Sequence, residues 1–247
     1  MGSKFTWGRN FERYPFKSSR RTVFCSLMAL LALSTWIIDG WRANTRASKA
    51  CSSMRNSFQP HFEILPPAQL LLWKELNPVN NLGFVLYGGT ALALRLGHRV
   101  SIDFDFFTEK NLDREEIKKT FSFMDSAIVI QDEANAFSVF VSYPNLDPSR
   151  VKVSFFGKIG FGRVGVPTYS EDGVMQVASL DDLMATKLKV ILQRAESKDY
   201  LDIAAMLANG VSLAKGLSSA RLIFGSHFQP SESLKALTFF EDGDLQR

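Results

Sequence analysis

The feature of this 247-residue chain that most restricts its fold is a strand–helix–strand unit over residues 83–107. Its first segment, GFVLYGG, is apolar and predicts a buried strand that ends at Gly88 and Gly89. The next segment, TALALRLG, predicts a short helix that ends at Gly97, since glycine readily adopts the left-handed conformation found after helices. The third, SIDFDFF, alternates apolar and polar residues, which is typical of a strand with one buried face.

The rest of the pattern adds more strands and then helices. Further strands are predicted at residues 127–131, 136–142, 150–156 and 173–178, and further helices at residues 62–77, 113–121, 179–194 and 197–210. Asp113 and Ser179 are the expected N-caps of two of these helices. This order indicates an α+β fold, with a small mixed sheet and flanking helices over residues 54–178 and a mostly helical region over 179–247.

The first 53 residues differ from the remainder in charge. They hold nine Lys and Arg against two Asp and Glu, whereas residues 54–247 hold twenty against twenty-three. The net charge of +4 therefore reflects this leader and does not indicate a polyanion-binding surface on the folded part. Both cysteines, Cys25 and Cys51, lie in the leader, so without it neither a disulfide nor a thiolate metal site is expected.

Three interpretations of the leader are open. Its apolar run, Val23–Ile38, is short for a membrane span and closer to the apolar region of a secretory signal, which favours a cleaved signal or an anchor. A short buried helix is disfavoured by the basic flanks. The third interpretation is that translation begins at Met54 and that the leader is not part of the fold. Under this interpretation, which we favour, we expect a cytoplasmic protein whose folded domain does not contact a membrane.

The candidate chemistry is concentrated between Gly88 and Asp105. A strand that ends in two glycines lets a phosphate approach backbone N–H groups, and Thr90 adds a hydroxyl at the start of a helix. Asp103 and Asp105 leave the same face of a strand about 6.5–7 Å apart, where they can bind Mg²⁺ for phosphoryl or nucleotidyl transfer. A tight turn and two solvated acids are the alternative, and the occurrence of all these features in one unit favours the metal site.

Two segments of the sequence resemble a known family. The stretch GGTALALRLGHRVSIDFDFF is similar to the signature of the nucleotidyltransferase-fold superfamily, and its flanking residues resemble the AbiEii/AbiGii toxins of abortive-infection and toxin–antitoxin systems. The stretch ATKLKVILQRAESKDYLDI resembles the helical motif of that family, and SLKALTFFED resembles its C-terminal end. The similarity runs from Phe58 to Asp242. Family members tend to begin shortly before the first helix, which favours Met54 as the start.

The resemblance implies a Mg²⁺-dependent nucleotidyltransferase that uses an NTP, modifies the acceptor end of tRNA and has a co-encoded antitoxin as its partner. The nucleotide would be held by Gly88, Gly89, Thr90, Ser101 and Arg194. The catalytic set would comprise Asp103 and Asp105 as Mg²⁺ ligands, Lys187 as a cation for the β- and γ-phosphates, and Asp199 or Asp202 as a further acid.

The sequence departs from the nucleotidyltransferase pattern at one position. A third carboxylate is common on a later strand, and the corresponding segment RVKVSFF offers Ser154 instead. Either Asp199 or Asp202 supplies that acid, since residues three apart share a helix face, or the chain is catalytically impaired. The two acids could alternatively stabilise a helix N-terminus. An impaired chain would act as a nucleotidyltransferase-fold binding module of a toxin–antitoxin pair.

The histidines give no sign of a metal site. His61, His98 and His227 lack metal-ligand spacing, and His98 is expected to be a cap or loop residue after Gly97. Arg95 and Arg99 flank the predicted cleft, where a phosphate contact and an exposed structural role are equally compatible with the sequence.

Overall fold

The computed structural model describes residues 57–160 and 162–239, so the interpretations of the leader concern residues outside those described. The strands among the described residues are β1 (Ser57–Phe58), β2 (Val85–Tyr87), β3 (Asp103–Phe107), β4 (Ile128–Glu133), β5 (Ala136–Ser142), β6 (Arg150–Phe156), β7 (Thr168–Ser170) and β8 (Gln176–Val177). They form one mixed sheet in the order β1-β7-β8-β2-β3-β6-β5-β4. The α+β expectation with a mixed sheet is confirmed.

The α-helices among the same residues lie around this sheet and after it in the chain. They are α1 (Pro67–Glu75), α2 (Gly88–Leu96), α3 (Arg114–Thr120), α4 (Leu180–Val190), α5 (Ser197–Ala208), α6 (Leu213–Phe224) and α7 (Pro230–Thr238). The last four follow one another without an intervening strand, as predicted for the C-terminal part. No helix in the described ranges is long and apolar enough to cross a membrane.

The alternation of β3 divides its side chains between the core and the candidate site. Phe104 and Phe106 are fully buried, and Phe106 stacks on Phe155 of β6 with 5.6 Å between the ring centroids. Asp103 and Asp105 lie on the opposite face and are partly exposed. Burial of the aromatic face fixes the register of the strand, because a slip of one residue would place the carboxylates in the core.

Two predicted helix caps are confirmed. The Asp113 carboxylate accepts a hydrogen bond from the Glu116 N–H at the start of α3. The Ser179 hydroxyl accepts one from the Asp182 N–H at the start of α4. Each cap satisfies a backbone donor that has no partner within its helix, and so fixes where that helix begins.

Three predicted elements are shorter than the sequence pattern suggested. The helix expected over residues 179–194 ends at Val190, which leaves Arg194 in the following loop. The helix expected over residues 62–77 is interrupted, with a 3₁₀ turn at Phe62–Ile64 and an α-helix only from Pro67. Consecutive prolines explain the break, since Pro66 is extended and neither proline has an N–H to donate. The strand expected over 173–178 is reduced to Gln176–Val177, because Gly173 with φ +72° lies in a turn.

Candidate active site

A cavity of about 600 Å³ opens where β3, β6, α4 and the N-terminus of α2 meet. Its charged lining residues are the acids Asp103 and Asp105 and the cations Arg99, Lys152, Lys187, Arg194 and Lys198. Gly89 and Ser101 also line it. Six of the predicted site residues, Gly89, Ser101, Asp103, Asp105, Lys187 and Arg194, are therefore brought together around one cavity.

The two strand aspartates face this cavity in different electrostatic environments. Asp103 and Asp105 project from the same face of β3, in the arrangement that the alternation predicts. Burial and the neighbouring charge of Asp103 raise the pKa of Asp105, and the cations Lys152 and Lys187 only partly offset this effect. Asp105 thus lies where an additional positive charge would be stabilising.

The two glycines of the turn make room for side chains of the site. Gly88 has φ +75°, and a Cβ on it would lie 2.9 Å from Oδ2 of Asp105. A Cβ on Gly89 would lie 2.5 Å from a guanidinium nitrogen of Arg99. Glycine is therefore required here by the close approach of Asp105 and Arg99. Gly89 lines the cavity, whereas Gly88 lies against the Asp105 carboxylate.

The two predicted hydroxyl groups differ in their exposure to the cavity. Thr90 is buried, and its hydroxyl donates to the carbonyl of Asp103. The hydroxyls of Thr90 and Ser101 lie 2.9 Å apart. The structure therefore directs the Thr90 hydroxyl at β3 instead of the cavity, while Ser101 reaches the cavity wall.

Lys187 reaches the cavity from α4, and two buried carboxylates on α5 balance its charge. Its Nζ lies 2.7 Å from Oδ1 of Asp199 and 2.6 Å from Oδ2 of Asp202, both on α5. The ammonium is therefore held in a fixed position by two carboxylates. Little of the side chain is exposed, so its position at the cavity is set by the protein and not by solvent.

Asp199 and Asp202 lie behind the cavity and not on its wall. Both side chains are fully buried, and neither is among the lining residues. Asp202 accepts hydrogen bonds from Arg99, with Nε at 2.7 Å, and lies 2.7 Å from Nε2 of His98. Asp199 accepts one from Nε of Arg194 at 2.9 Å. The structure thus places both carboxylates behind the cavity wall, with their oxygens in contact with cations.

The pKa of Asp202 reflects this environment. Burial opposes ionisation of the carboxyl, but hydrogen bonds from His98 and Arg99 and the charge of Lys187 outweigh it, so its pKa is well below the ordinary value. A buried aspartate that remains ionised in this way is a stable counter-ion for the cations around it.

The flanking arginines and histidines have separate environments. Arg99 lines the cavity, whereas Arg95 lies 4.4 Å above the Phe58 ring and donates to the carbonyl of Val177. Burial lowers the pKa of Arg95 to about 10. His98 is a loop residue that contacts Asp202, so it has a structural partner in the site. Within the described ranges, no group of three or more His, Cys, Asp and Glu is placed to hold a metal ion.

The sequence analysis did not single out two cations of the cavity, Lys152 and Lys198. Lys152 lies directly opposite Asp103 in the parallel pairing of β3 with β6. The segment RVKVSFF contains the pattern that could have indicated Lys152, because side chains alternate along a strand and this places Lys152 and Ser154 on one face. Lys198, at the start of α5, contacts Glu196 at 2.7 Å.

The residues at the cavity fit a magnesium ion that is shared with a nucleotide. Mg²⁺ is commonly held by one or two carboxylates together with substrate phosphates and water. Asp103 and Asp105 provide two carboxylates on one strand face, and both line the cavity. The donor set therefore fits the ion that the resemblance implies.

Comparison with known proteins agrees with the sequence signature. The family profile described as the nucleotidyl transferase AbiEii toxin of type IV toxin–antitoxin systems matches residues 72–246. An uncharacterized protein of Aquifex aeolicus is 30% identical over 161 residues, which cover 64% of this chain and 74% of the relative.

Solved structures with related folds are more distant. The nucleotidyltransferase toxin MenT4 of Mycobacterium tuberculosis is 16% identical, with a TM-score of 0.45 and 61% of each chain covered. An antigenic nucleotidyltransferase-like protein of Paracoccidioides brasiliensis is 15% identical, with a TM-score of 0.42 over 72% of this chain and 94% of that one. The match to MenT4 therefore spans less than two thirds of the length of that protein. On the profile match, the chain belongs to the AbiEii nucleotidyl transferase toxin family.

Proposed function

We propose that this protein transfers a nucleotidyl group from an NTP to a hydroxyl of an RNA acceptor, such as the acceptor end of tRNA, with Mg²⁺ as cofactor. It would act as the toxin of a toxin–antitoxin pair, with a cognate antitoxin protein as its partner. The observation that carries this proposal is the pair Asp103 and Asp105, which faces a cavity lined by five cationic side chains.

The cationic side chains at the cavity wall are placed to contact an anionic substrate. Arg99, Lys187 and Arg194 share two buried counter-ions on α5, and Glu196 contacts both Arg194 and Lys198. Lys152 and Lys198 add further cationic groups at the wall. A triphosphate brings several negative charges and can contact the guanidinium groups through paired hydrogen bonds.

Each predicted site residue has a role in this proposal. Asp103 and Asp105 would hold Mg²⁺, which when bound would neutralise charge on the reacting phosphates and favour ionisation of the attacking hydroxyl. Gly89 and Ser101 would approach the triphosphate at the N-terminus of α2. Gly88 and Thr90 would position Asp105 and β3 through the contacts described above.

The cations would orient the triphosphate for an in-line displacement. The acceptor oxygen forms a bond to the α-phosphorus, the bond from that phosphorus to the bridging oxygen breaks, and pyrophosphate leaves while the hydroxyl proton passes to solvent. Lys187 and Arg194 would bind the departing phosphates, which gain negative charge in this step. Most of the protein's contribution is then position and charge.

Asp199 and Asp202 receive a positioning role in place of the predicted role as a third acid. Their buried carboxylates hold Lys187, and each also holds one arginine of the cavity. Fixed cations cost less entropy to order when the substrate binds than mobile ones do.

The test is incubation of the full chain with each labelled NTP, Mg²⁺ and total RNA, followed by gel separation. We expect label in RNA with one or more NTPs, release of pyrophosphate, and no label with Asp103→Asn. Folded protein that labels no RNA and releases no pyrophosphate with any NTP would contradict the proposal.

The serine on β6 favours a second candidate function, a binding module without catalysis. Ser154 lies beside Asp105 in the position where nucleotidyltransferases commonly carry an acid. Calorimetry with an NTP and Mg²⁺ distinguishes the two functions, because the binding module predicts heat of binding without pyrophosphate release.

A further inference from the structure

The parallel pairing of β3 with β6 sets an unusual group of side chains beside the two aspartates. Asp103 is opposite Lys152, and Asp105 is opposite Ser154. Residues paired in this way on one sheet face are close neighbours. The strand that adjoins the carboxylates therefore offers an ammonium and a hydroxyl instead of a further carboxylate.

This arrangement limits how many divalent ions the cavity can hold. Two metal ions that act together in phosphoryl transfer lie about 3.5–4 Å apart and repel each other, so anionic ligands must compensate their charge. Among the residues that the structure describes, the cavity wall carries only Asp103 and Asp105 as anions, against five cations. Asp199 and Asp202 are engaged with Lys187 and the arginines, which leaves them occupied as ligands.

Lys152 is placed to provide positive charge where a second metal ion would lie. It lines the cavity, and its position on β6 is directly opposite Asp103 of β3. Ser154 is fully buried. A second ion beside it would lose its water ligands and gain only one neutral hydroxyl oxygen in exchange.

We propose that the site holds a single divalent cation on Asp103 and Asp105, and that the Lys152 ammonium takes the place of a second ion beside Asp103. The inference deepens the nucleotidyl transfer proposed above and rests on it. It makes Lys152 the residue that determines how many divalent ions the site holds.

The number of ions in the site is tested by counting the Mn²⁺ bound to the full chain, with electron paramagnetic resonance of the free ion as the measurement. We expect one Mn²⁺ per wild-type chain and none with Asp103→Asn. Lys152→Met should still bind one, roughly fivefold more tightly, because a like charge no longer opposes the ion. Lys152→Arg keeps the charge and should leave the affinity near that of the wild type.

A gain-of-site variant provides the converse test. Lys152→Ser combined with Ser154→Asp adds a carboxylate and removes the ammonium, and we expect it to bind two Mn²⁺. Ser154→Ala is the matched control and should bind one. Circular dichroism verifies that each variant is folded, and the two single variants of Lys152 test the inference if the double variant does not fold.

The outcomes separate this inference from the proposed function. Two Mn²⁺ on the wild type, an unchanged affinity in Lys152→Met, or a count of one in the folded double variant would overturn the single-ion inference, whether or not RNA is labelled. One Mn²⁺ with the expected Lys152→Met effect would support it even if the labelling assay found no transfer. Unchanged binding in Asp103→Asn would reject the site itself.

Discussion

Two pairs of aspartates lie on opposite sides of Lys187, and they differ in almost every respect except residue type. Asp103 and Asp105, two residues apart on a strand, face an open cavity, and the pKa of Asp105 is raised. Asp199 and Asp202, three residues apart on a helix, are fully buried, and the pKa of Asp202 is lowered. Burial outweighs the nearby cations at Asp105, whereas hydrogen bonds and nearby cations outweigh burial at Asp202, which suits the first pair to bind a metal and the second to hold cations.

The most severe test of this difference is to neutralise one member of the strand pair, Asp103 and Asp105. Asp103→Asn removes a proposed metal ligand but changes the shape of the side chain little. We expect nucleotide transfer to fall by about 10³-fold or more, because an electrostatic contact made at the reacting phosphates is lost. Labelling of RNA measures this, with the melting temperature as the control. Transfer at the wild-type rate with normal metal dependence would contradict the assignment.

The same change in the helix pair, Asp199 and Asp202, should mainly lower the stability of the fold. Asp202→Asn leaves Lys187, Arg99 and His98 without their shared anion. Removing one partner of a buried ion pair costs about 3–5 kcal/mol, so we expect a loss of about 3 kcal/mol at pH 7, measured by denaturant unfolding. If stability were unchanged, the carboxylate could not be the counter-ion that the structure shows.

The effect of Asp202→Asn should also depend on pH. The pKa of Asp202 is lowered in the folded protein, so its ionised form contributes stability above the pKa of the unfolded chain. That contribution is lost as the pH falls from the ordinary aspartate range towards the lower folded pKa. The difference in stability between wild type and variant should therefore narrow below about pH 4. A constant difference from pH 7 to pH 3 would disagree with the ion-pair assignment.

A smaller effect is expected where an arginine connects the two sides. Arg194 binds Asp199, yet its side chain is 47% exposed and reaches the cavity. Arg194→Gln should raise the KM for the NTP about tenfold, with a smaller loss of stability than Asp202→Asn, since Lys187 still compensates the buried Asp199 carboxylate. Arg163→Gln is the matched control, because Arg163 pairs with Glu109 and does not line the cavity. Equal effects of the two changes would remove the proposed phosphate contact.

The smallest effect concerns the hydroxyl behind the strand pair. Thr90→Val retains the shape of the side chain but removes its hydrogen bond to the Asp103 carbonyl. We expect a loss of about 1 kcal/mol in the free energy of unfolding and a slower transfer reaction with an unchanged KM. A rise in KM alone would instead indicate that the hydroxyl contacts the nucleotide.

Much of the fold and of the strand pair could be predicted from local pattern. The strands Ala136–Ser142 and Arg150–Phe156 have the predicted bounds, because alternation and burial agree there. The face of Asp103 and Asp105 likewise follows from a period of two. The helix predicted over residues 62–77 starts later than predicted, because residues 62–64 form a 3₁₀ turn and the α-helix begins at Pro67, where a proline is compatible with the first helical position.

The helix pair could not be interpreted in the same way. The spacing of Asp199 and Asp202 gives a common face but not what that face meets. The partner Arg99 is about a hundred residues away in the chain, so its approach depends on how α5 is placed against the loop after α2. The same limit applies to Thr90, whose orientation depends on the position of β3. Contacts between distant segments therefore decided the roles that sequence spacing left open.

The ion network between Arg99, Lys187 and the acids of α5 has a consequence for dissecting this protein into parts. A fragment that stops before α4 would keep the glycine turn and both strand aspartates but lose Lys187, Asp199 and Asp202 together. Arg99 would then have no anion to hold it against Gly89. The C-terminal helices thus belong to the proposed active site, and we expect a shortened chain that retains the whole signature motif to be inactive.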